Sequence, residues 1–200
     1  MNRNVYRSLK RLDEDVKVCT KCILSKSRTH AVPGEGSSTK KIMFIGEGPG
    51  ADEDSQGRPF VGRSGKVLDT ALEEAGISRN EVFITNVVKC RPPQNRKPKD
   101  DEMDACNGYL ESQIELIDPI IICLLGATAI ERLIGKRSVT GSHGTLIKKF
   151  KRSFFLTFHP AATLRNPTLR PLFFSDIKEM VRRINSREIY GRNPDDHTLV

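Results

Sequence analysis

The chain has 200 residues, 37% of them hydrophobic, with a formal charge of +8 and a pI near 9.4. That is enough for one well-buried domain and crowded for two, and no apolar run approaches the ~20 residues of a membrane span. The positive balance suits a polyanionic partner such as nucleic acid, and it equally suits a solvated Lys/Arg surface.

Residues 4–18 alternate apolar and charged positions at helical spacing through Val5, Leu9, Leu12 and Val16, and no signal-peptide pattern precedes them. A cytoplasmic protein is expected. Cys19 and Cys22 follow directly, and residues 27–40, rich in Pro, Gly, Ser and Thr, read as a loop. Lys41 to Gly46 is a short apolar run ending in glycine, a buried strand that opens into the acidic loop Gly46-Glu47-Gly48-Pro49-Gly50-Ala51-Asp52-Glu53-Asp54. Ser64 is placed to cap a helix whose apolar face is Val67, Leu68, Ala71, Leu72 and Ala75, with Gly76 ending it. Val82 to Val88 is a second strand, followed by a basic, proline-rich loop from Lys89 to Pro98.

A helix from Lys99 to Ile117 carries Met103, Cys106, Leu110 and Ile114 on one face until Asp118-Pro119 stops it. Ile120 to Leu125 is a third strand, Ala127 to Ile134 a short helix, and residues 135–149 a hairpin-like segment. Ser153 to Phe158 is the last strand, a final helix runs from about Pro171 to Arg187, and residues 190–200 read as a frayed tail. Strands alternating with helices predict a three-layer α/β/α sandwich around a central, mainly parallel four-stranded sheet, in a single domain. Ligands of such sheets bind beyond the carboxyl ends of the strands. Glu47, Asn86 and His159 stand at three of those ends.

The cysteines form C-x2-C and then C-x15-C at Cys90 and Cys106. Without a secretory signal this argues for metal or free thiols, not disulfides. One tight pair with two dispersed thiols fits an iron–sulfur cube at least as well as structural zinc, and Cys123, inside an apolar strand, reads as core. The loop at Gly46 to Gly50 lacks a P-loop lysine and carries acids that would repel phosphate. Glycine beside a carboxylate suits a substrate packed on backbone while Glu47 handles water. Phe60, between turn-formers, is an aromatic presented from a loop, able to stack on a base. Asn86 places an amide in an apolar strand, expensive unless hydrogen-bonded. Its acceptor and donors match the edge of uracil, an N3–H beside an O4. His159 can donate to a developing anion, and Leu164-Arg165 can wedge into a base stack.

Together these stretches resemble the family-4 uracil-DNA glycosylases, the iron–sulfur branch of the uracil-DNA glycosylase superfamily. The matching segments are GEGPGADEDSQGRPFVGRSG, TNVVKCRPPQNRKP, the cysteine set and HPAATLRNP, spanning residues 19–167. The resemblance implies a [4Fe–4S] cluster on Cys19, Cys22, Cys90 and Cys106, with Glu47 positioning or activating water. It implies Phe60 stacking on a flipped uracil, Asn86 reading its edge and His159 stabilising the departing anion. Gly46 and Gly48 would let the base approach, and Glu53 would stand near its C5 and crowd out the methyl of thymine. Lys89, Arg91, Arg96, Lys97 and Arg165 would hold the DNA backbone. The implied partner is uracil-containing DNA, single- or double-stranded, met by a monomer. No membrane contact is expected, and no clamp-binding peptide stands out. The loop RPPQNRKP lacks the histidine of related covalent-trapping enzymes, so ordinary turnover is expected. An iron–sulfur electron-transfer protein and a non-catalytic nucleic-acid-binding module are the competing classes.

Overall fold

The computed structural model describes residues 6–37 and 39–186, so the expected tail at 190–200 and the expected helical positions 4, 5 and 187 lie outside the described residues. The elements are α1 (Leu9–Lys17), β1 (Glu35–Gly36), β2 (Ile42–Gly46), α2 (Ala51–Gln56), α3 (Arg63–Glu74), β3 (Phe83–Asn86) and α4 (Asp100–Ile117). These are followed by β4 (Ile121–Leu125), α5 (Ala127–Ile134), α6 (Val139–Ser142), β5 (Leu146–Lys149), β6 (Arg152–Thr157), α7 (Pro160–Arg165) and α8 (Leu169–Asn185). Among the described residues no helix is long and apolar enough to cross a membrane.

The strands form one sheet in the order β1-β3-β2-β4-β6-β5. The expected four strands are its centre, and β3, β2, β4 and β6 are all parallel. The count of four was short by two. β1 pairs antiparallel with β3 and β5 antiparallel with β6. Both additions are short, partly exposed edge strands with no apolar run, so their sequences read as loop and hairpin.

The central strands are buried on both faces, which is why they read as continuous apolar runs. Side chains alternate between two cores. Met43, Ile45, Ile122 and Leu124 face α1, α4 and α5 through Leu12, Leu110 and Ile130. Ile42, Phe44, Ile121 and Cys123 face α3 and α8 through Leu68, Phe173 and Ile177. This is the expected three-layer α/β/α sandwich, with Cys123 fully buried as anticipated. Each fully buried aliphatic or aromatic side chain contributes about 1.5–3 kcal/mol over leaving it in water.

Several local expectations need revision. Gly62, not Ser64, is the N-cap of α3. The acidic loop turns into helix α2 at Ala51, with Asp52, Glu53 and Asp54 in the first turn, where carboxylates meet the positive end of the helix. A second short helix, α7, starts at Pro160 with His159 as its cap. Both helices have only six residues and too little apolar periodicity to announce themselves.

Candidate active site

Because β2, β3, β4 and β6 are parallel, their carboxyl ends share one edge, and a cleft of about 830 Å³ opens there. Its lining brings together Glu47, Gly48, Glu53, Phe60, Asn86, His159, Leu164 and Arg165.

The floor is built from Phe60 and Asn86, with buried Gly46 packed against both and not itself in the lining. The β2–β3 ladder continues past the strands, since Val87 N–H donates to Gly46 O (2.9 Å) and Val88 N–H to Glu47 O (3.1 Å). Glu47 and Asn86 are thereby fixed on adjacent strands. Asn86 is 1% exposed, yet its Oδ1 has no hydrogen-bond partner. A buried acceptor left open costs roughly 1–3 kcal/mol. Gly46 makes the arrangement possible, because a Cβ there would lie 2.5 Å from Asn86 Oδ1 and 2.6 Å from Phe60 Cζ. Gly48 plays a similar part against Val88 Cγ2, at 2.8 Å.

Phe60 sits at φ 50°, a left-handed conformation that a bulky residue adopts only when its surroundings impose it. Those surroundings are specific. Glu53 Oε1 accepts from Val61 N–H and Gly62 N–H (both 2.9 Å), and its Oε2 accepts from Gly50 N–H at 3.0 Å. The Arg79 guanidinium donates to the carbonyls of Pro59 and Phe60 and pairs with Glu35 and Asp69. Gly65 admits the Phe60 carbonyl at a distance no Cβ would tolerate. Glu53 thus lines the cleft with its carboxylate already committed to three backbone donors. Arg79 was missed because it holds the Phe60 loop through backbone carbonyls, which leave no mark in a sequence.

Glu47 is half-buried, and its Oε2 accepts a hydrogen bond from the Thr128 hydroxyl. Thr128 stands in the first turn of α5, directly after β4. A hydroxyl two residues beyond the glycine that ends a buried strand is the signal that could have found it. That glycine, Gly126, has φ 85°, and a Cβ on it would lie 2.8 Å from His159 Cβ.

His159 Nδ1 accepts from Ala161 N–H at 3.1 Å. The hydrogen of the neutral ring is therefore on Nε2, a donor. Burial, and secondarily the positive charge of Arg165, push its pKa down to about 4. The ring lies 5.6 Å from that of Phe60.

The cationic rim divides. Arg96 lines the cleft but makes a bidentate pair with the fully buried carboxylate of Glu102, and it holds that carboxyl below its usual range. Lys97 pairs with Glu131 at 2.9 Å and Arg91 donates to Asn95, both beside the cleft and not in its lining. Leu164, 43% exposed, and Arg165 project from α7 at the mouth. Lys89 is a correction: it is 1% exposed, its ammonium is fully engaged inside the protein, and it cannot touch a DNA backbone.

On the α1–α4 side, Cys19, Cys22, Cys90 and Cys106 line one small pocket. Arg28 Nη1 donates to Cys90 Sγ at 3.0 Å and Lys89 N–H to Cys106 Sγ at 3.3 Å. Burial pushes the Cys90 thiol up to about 11 and raises that of Cys106 as well. Among the described residues no three His, Cys, Asp or Glu side chains converge as a single metal ion requires.

Residues 33–183 match the family model of the uracil DNA glycosylase superfamily. A type-4 uracil-DNA glycosylase of Sulfurisphaera tokodaii is 46% identical, over 86% of this chain and 83% of its own. That of Thermotoga maritima is 47% identical (84% and 90%), and that of Archaeoglobus fulgidus 40% (86% and 92%). The parallel sheet, the cleft at its carboxyl edge and these relatives agree: the chain belongs to the uracil DNA glycosylase superfamily, in its type-4 branch.

Proposed function

We propose that this protein hydrolyses the N-glycosidic bond of uracil in DNA, releasing free uracil and leaving an abasic site. The observation that carries the reading is the open Oδ1 of Asn86, a buried acceptor on the floor of the cleft between Gly46 and Phe60. A pyrimidine lying on Phe60 with an N3–H at its edge completes it. Cytosine has no hydrogen at that position.

The bond is unreachable inside the base stack, so the nucleotide must be flipped into the cleft, with Leu164 positioned to fill the gap. As the C1′–N1 bond breaks, the electron pair goes to uracil and the sugar becomes oxocarbenium-like. A neutral His159 donating from Nε2 stabilises that anion without having to lose a charge of its own. The Thr128 hydroxyl occupies Glu47 Oε2 and leaves Oε1 for a water. Water oxygen bonds to C1′, and its proton passes to Glu47 and then to solvent. Glu53 serves the base pocket indirectly, by fixing the loop that presents Phe60, and any crowding of a thymine methyl comes with that placement. Arg91, Arg96, Lys97 and Arg165 are the candidate phosphate contacts. Arg96 and Lys97 would leave or share their present partners. The reading carries with it a cytoplasmic monomer of one domain.

The four cysteines fit an iron–sulfur cluster. They line one pocket, two of their sulfurs receive N–H donors, and a cube meets its thiolates at separate corners, unlike a single ion. Cys19, Cys22, Cys90 and Cys106 would hold a [4Fe–4S] cluster, which would tie the exit of α1 to the loop after β3 and to α4. The hydrolysis itself transfers no net electrons.

The test uses an end-labelled oligonucleotide with one central uracil, incubated with protein and cleaved with hot alkali, beside thymine and cytosine controls. A cut at uracil alone, resistant to chelators, is expected. Bound but uncut DNA would overturn the reading in favour of a binding module or a redox protein.

A further inference from the structure

Lys89 is among the largest fully buried side chains in the protein, and its two ends do different things. Its backbone N–H donates to Cys106 Sγ at 3.3 Å. Its Nζ donates at 2.7 Å to each of Thr85 Oγ1, Asn86 O and Gln113 Oε1. Asn86 is the cleft-lining residue whose buried Oδ1 has no hydrogen-bond partner. Gln113 lies seven positions after Cys106 on α4, two turns along the same face. One residue therefore spans from a cysteine of the thiol pocket to the carbonyl of the base-reading asparagine.

All three acceptors of the ammonium are neutral. A buried cation with no carboxylate in its own hydrogen-bond shell needs its counter-charge from nearby. The ionisable groups that act on it are half-buried Asp13 on α1, whose Oδ1 lacks a partner, and Cys106, which as a free thiol is neutral and carries negative charge only as a cluster ligand. Four thiolates gathered in that pocket would add negative charge beside it.

We propose that Lys89 is a positioning residue for base recognition: its ammonium locks the carboxyl end of β3 at Asn86 and is itself held by the negative charge of the four-cysteine pocket. The inference rests on the reading of Asn86 and of the cysteines given above. It assigns to the cysteine pocket an electrostatic hold on the uracil-reading strand.

The test is Lys89→Met in the full-length protein as isolated, with Thr85→Val as a milder variant that removes one acceptor of the ammonium and leaves the cysteines alone. Single-turnover excision of uracil should fall about tenfold in Lys89→Met, the loss of one charged hydrogen bond. Affinity for uracil-free duplex should not change, because the side chain is buried. The reduction potential of the cluster should move to more negative values, since a cation that favoured the added electron is gone. A general loss of fold would shift neither quantity in this pattern. Lys89→Met protein that folds but retains no iron leaves the decision to Thr85→Val, because residue 89 adjoins Cys90 and its N–H donates to Cys106 Sγ. If Lys89→Met does not fold, Thr85→Val decides, with a roughly threefold lower rate at unchanged DNA affinity expected. Wild-type rate together with wild-type potential in Lys89→Met overturns the proposal, as does a wild-type rate in Thr85→Val where that variant decides. A wild-type protein that excises no uracil or holds no iron would instead overturn the underlying functional reading.

Discussion

The two ends of the parallel sheet are built by different rules. At the amino end Asp118 receives Lys41 (3.4 Å) and Arg152 (3.5 Å), with Asp118 71% exposed. Lys149 caps the Ile134 carbonyl, and Phe150 points into solvent. Asp118, common to both ion pairs, has water as an alternative, so little stability depends on them. At the carboxyl end the groups have no such alternative. Asn86 keeps an acceptor open out of water, Phe60 is held in a left-handed conformation, and His159 is held neutral. Left-handed backbone occurs at both edges, at Phe60 on one and at Lys41, Asp118 and Phe150 on the other, so what distinguishes them is a buried acceptor left unpaired on one and exposed, compensated pairs on the other.

The largest break in that contrast should come from Glu47→Ala. Single-turnover excision should fall about a thousandfold while DNA affinity holds, since the proposed mechanism has the carboxylate act on water and not on phosphate. Equal losses in both would assign Glu47 to binding. Gly46→Ala comes next, with a loss of about a hundredfold, because its Cβ would push on Asn86 Oδ1 and Phe60 Cζ together. A smaller effect would mean the floor can yield. Thr128→Val should cost about tenfold and Thr128→Ser should restore it, separating the hydroxyl's hold on Glu47 from simple packing.

His159 sharpens the comparison through pH. Its folded pKa is about 4 against an ordinary 6.5, so between those values the unfolded chain binds the extra proton. Its effect is absent above about pH 6.5, and stability is progressively lost as pH falls towards 4. His159→Gln should lose less thermal stability than wild type across that window, as followed by melting temperature. Parallel curves would contradict the neutral imidazole. The smallest effect belongs to the amino end. Asp118→Asn should change stability by less than about 0.5 kcal/mol in a denaturant titration and leave excision untouched.

What could be read in advance follows from where each signal lives. β2, β3, β4 and β6 were legible because burial on both faces forces unbroken apolar runs. The cleft was legible because Glu47, Asn86 and His159 sit immediately at strand ends. Lys89 was misread because it adjoins a basic loop, and nothing local says that Gln113 and Thr85 will close over it. Arg79 and Glu53 work through backbone groups, invisible to residue identity. Ser64 looked like a cap because glycine at 62, with no side chain to offer, gives no comparable cue.

The outer strands carry a consequence for handling the protein. A parallel sheet ending in bare backbone would offer its edge to any passing chain and invite fibrous self-assembly. Here β1 is only two residues long, and β5 carries Lys148 and Lys149 and turns into β6 through the left-handed pair Phe150-Lys151. Short length, positive charge and a sharp twist all deny a neighbour the flat template it needs. A basic protein built this way should stay colloidally stable when concentrated, and replacing those lysines with valine should be the quickest route to precipitates.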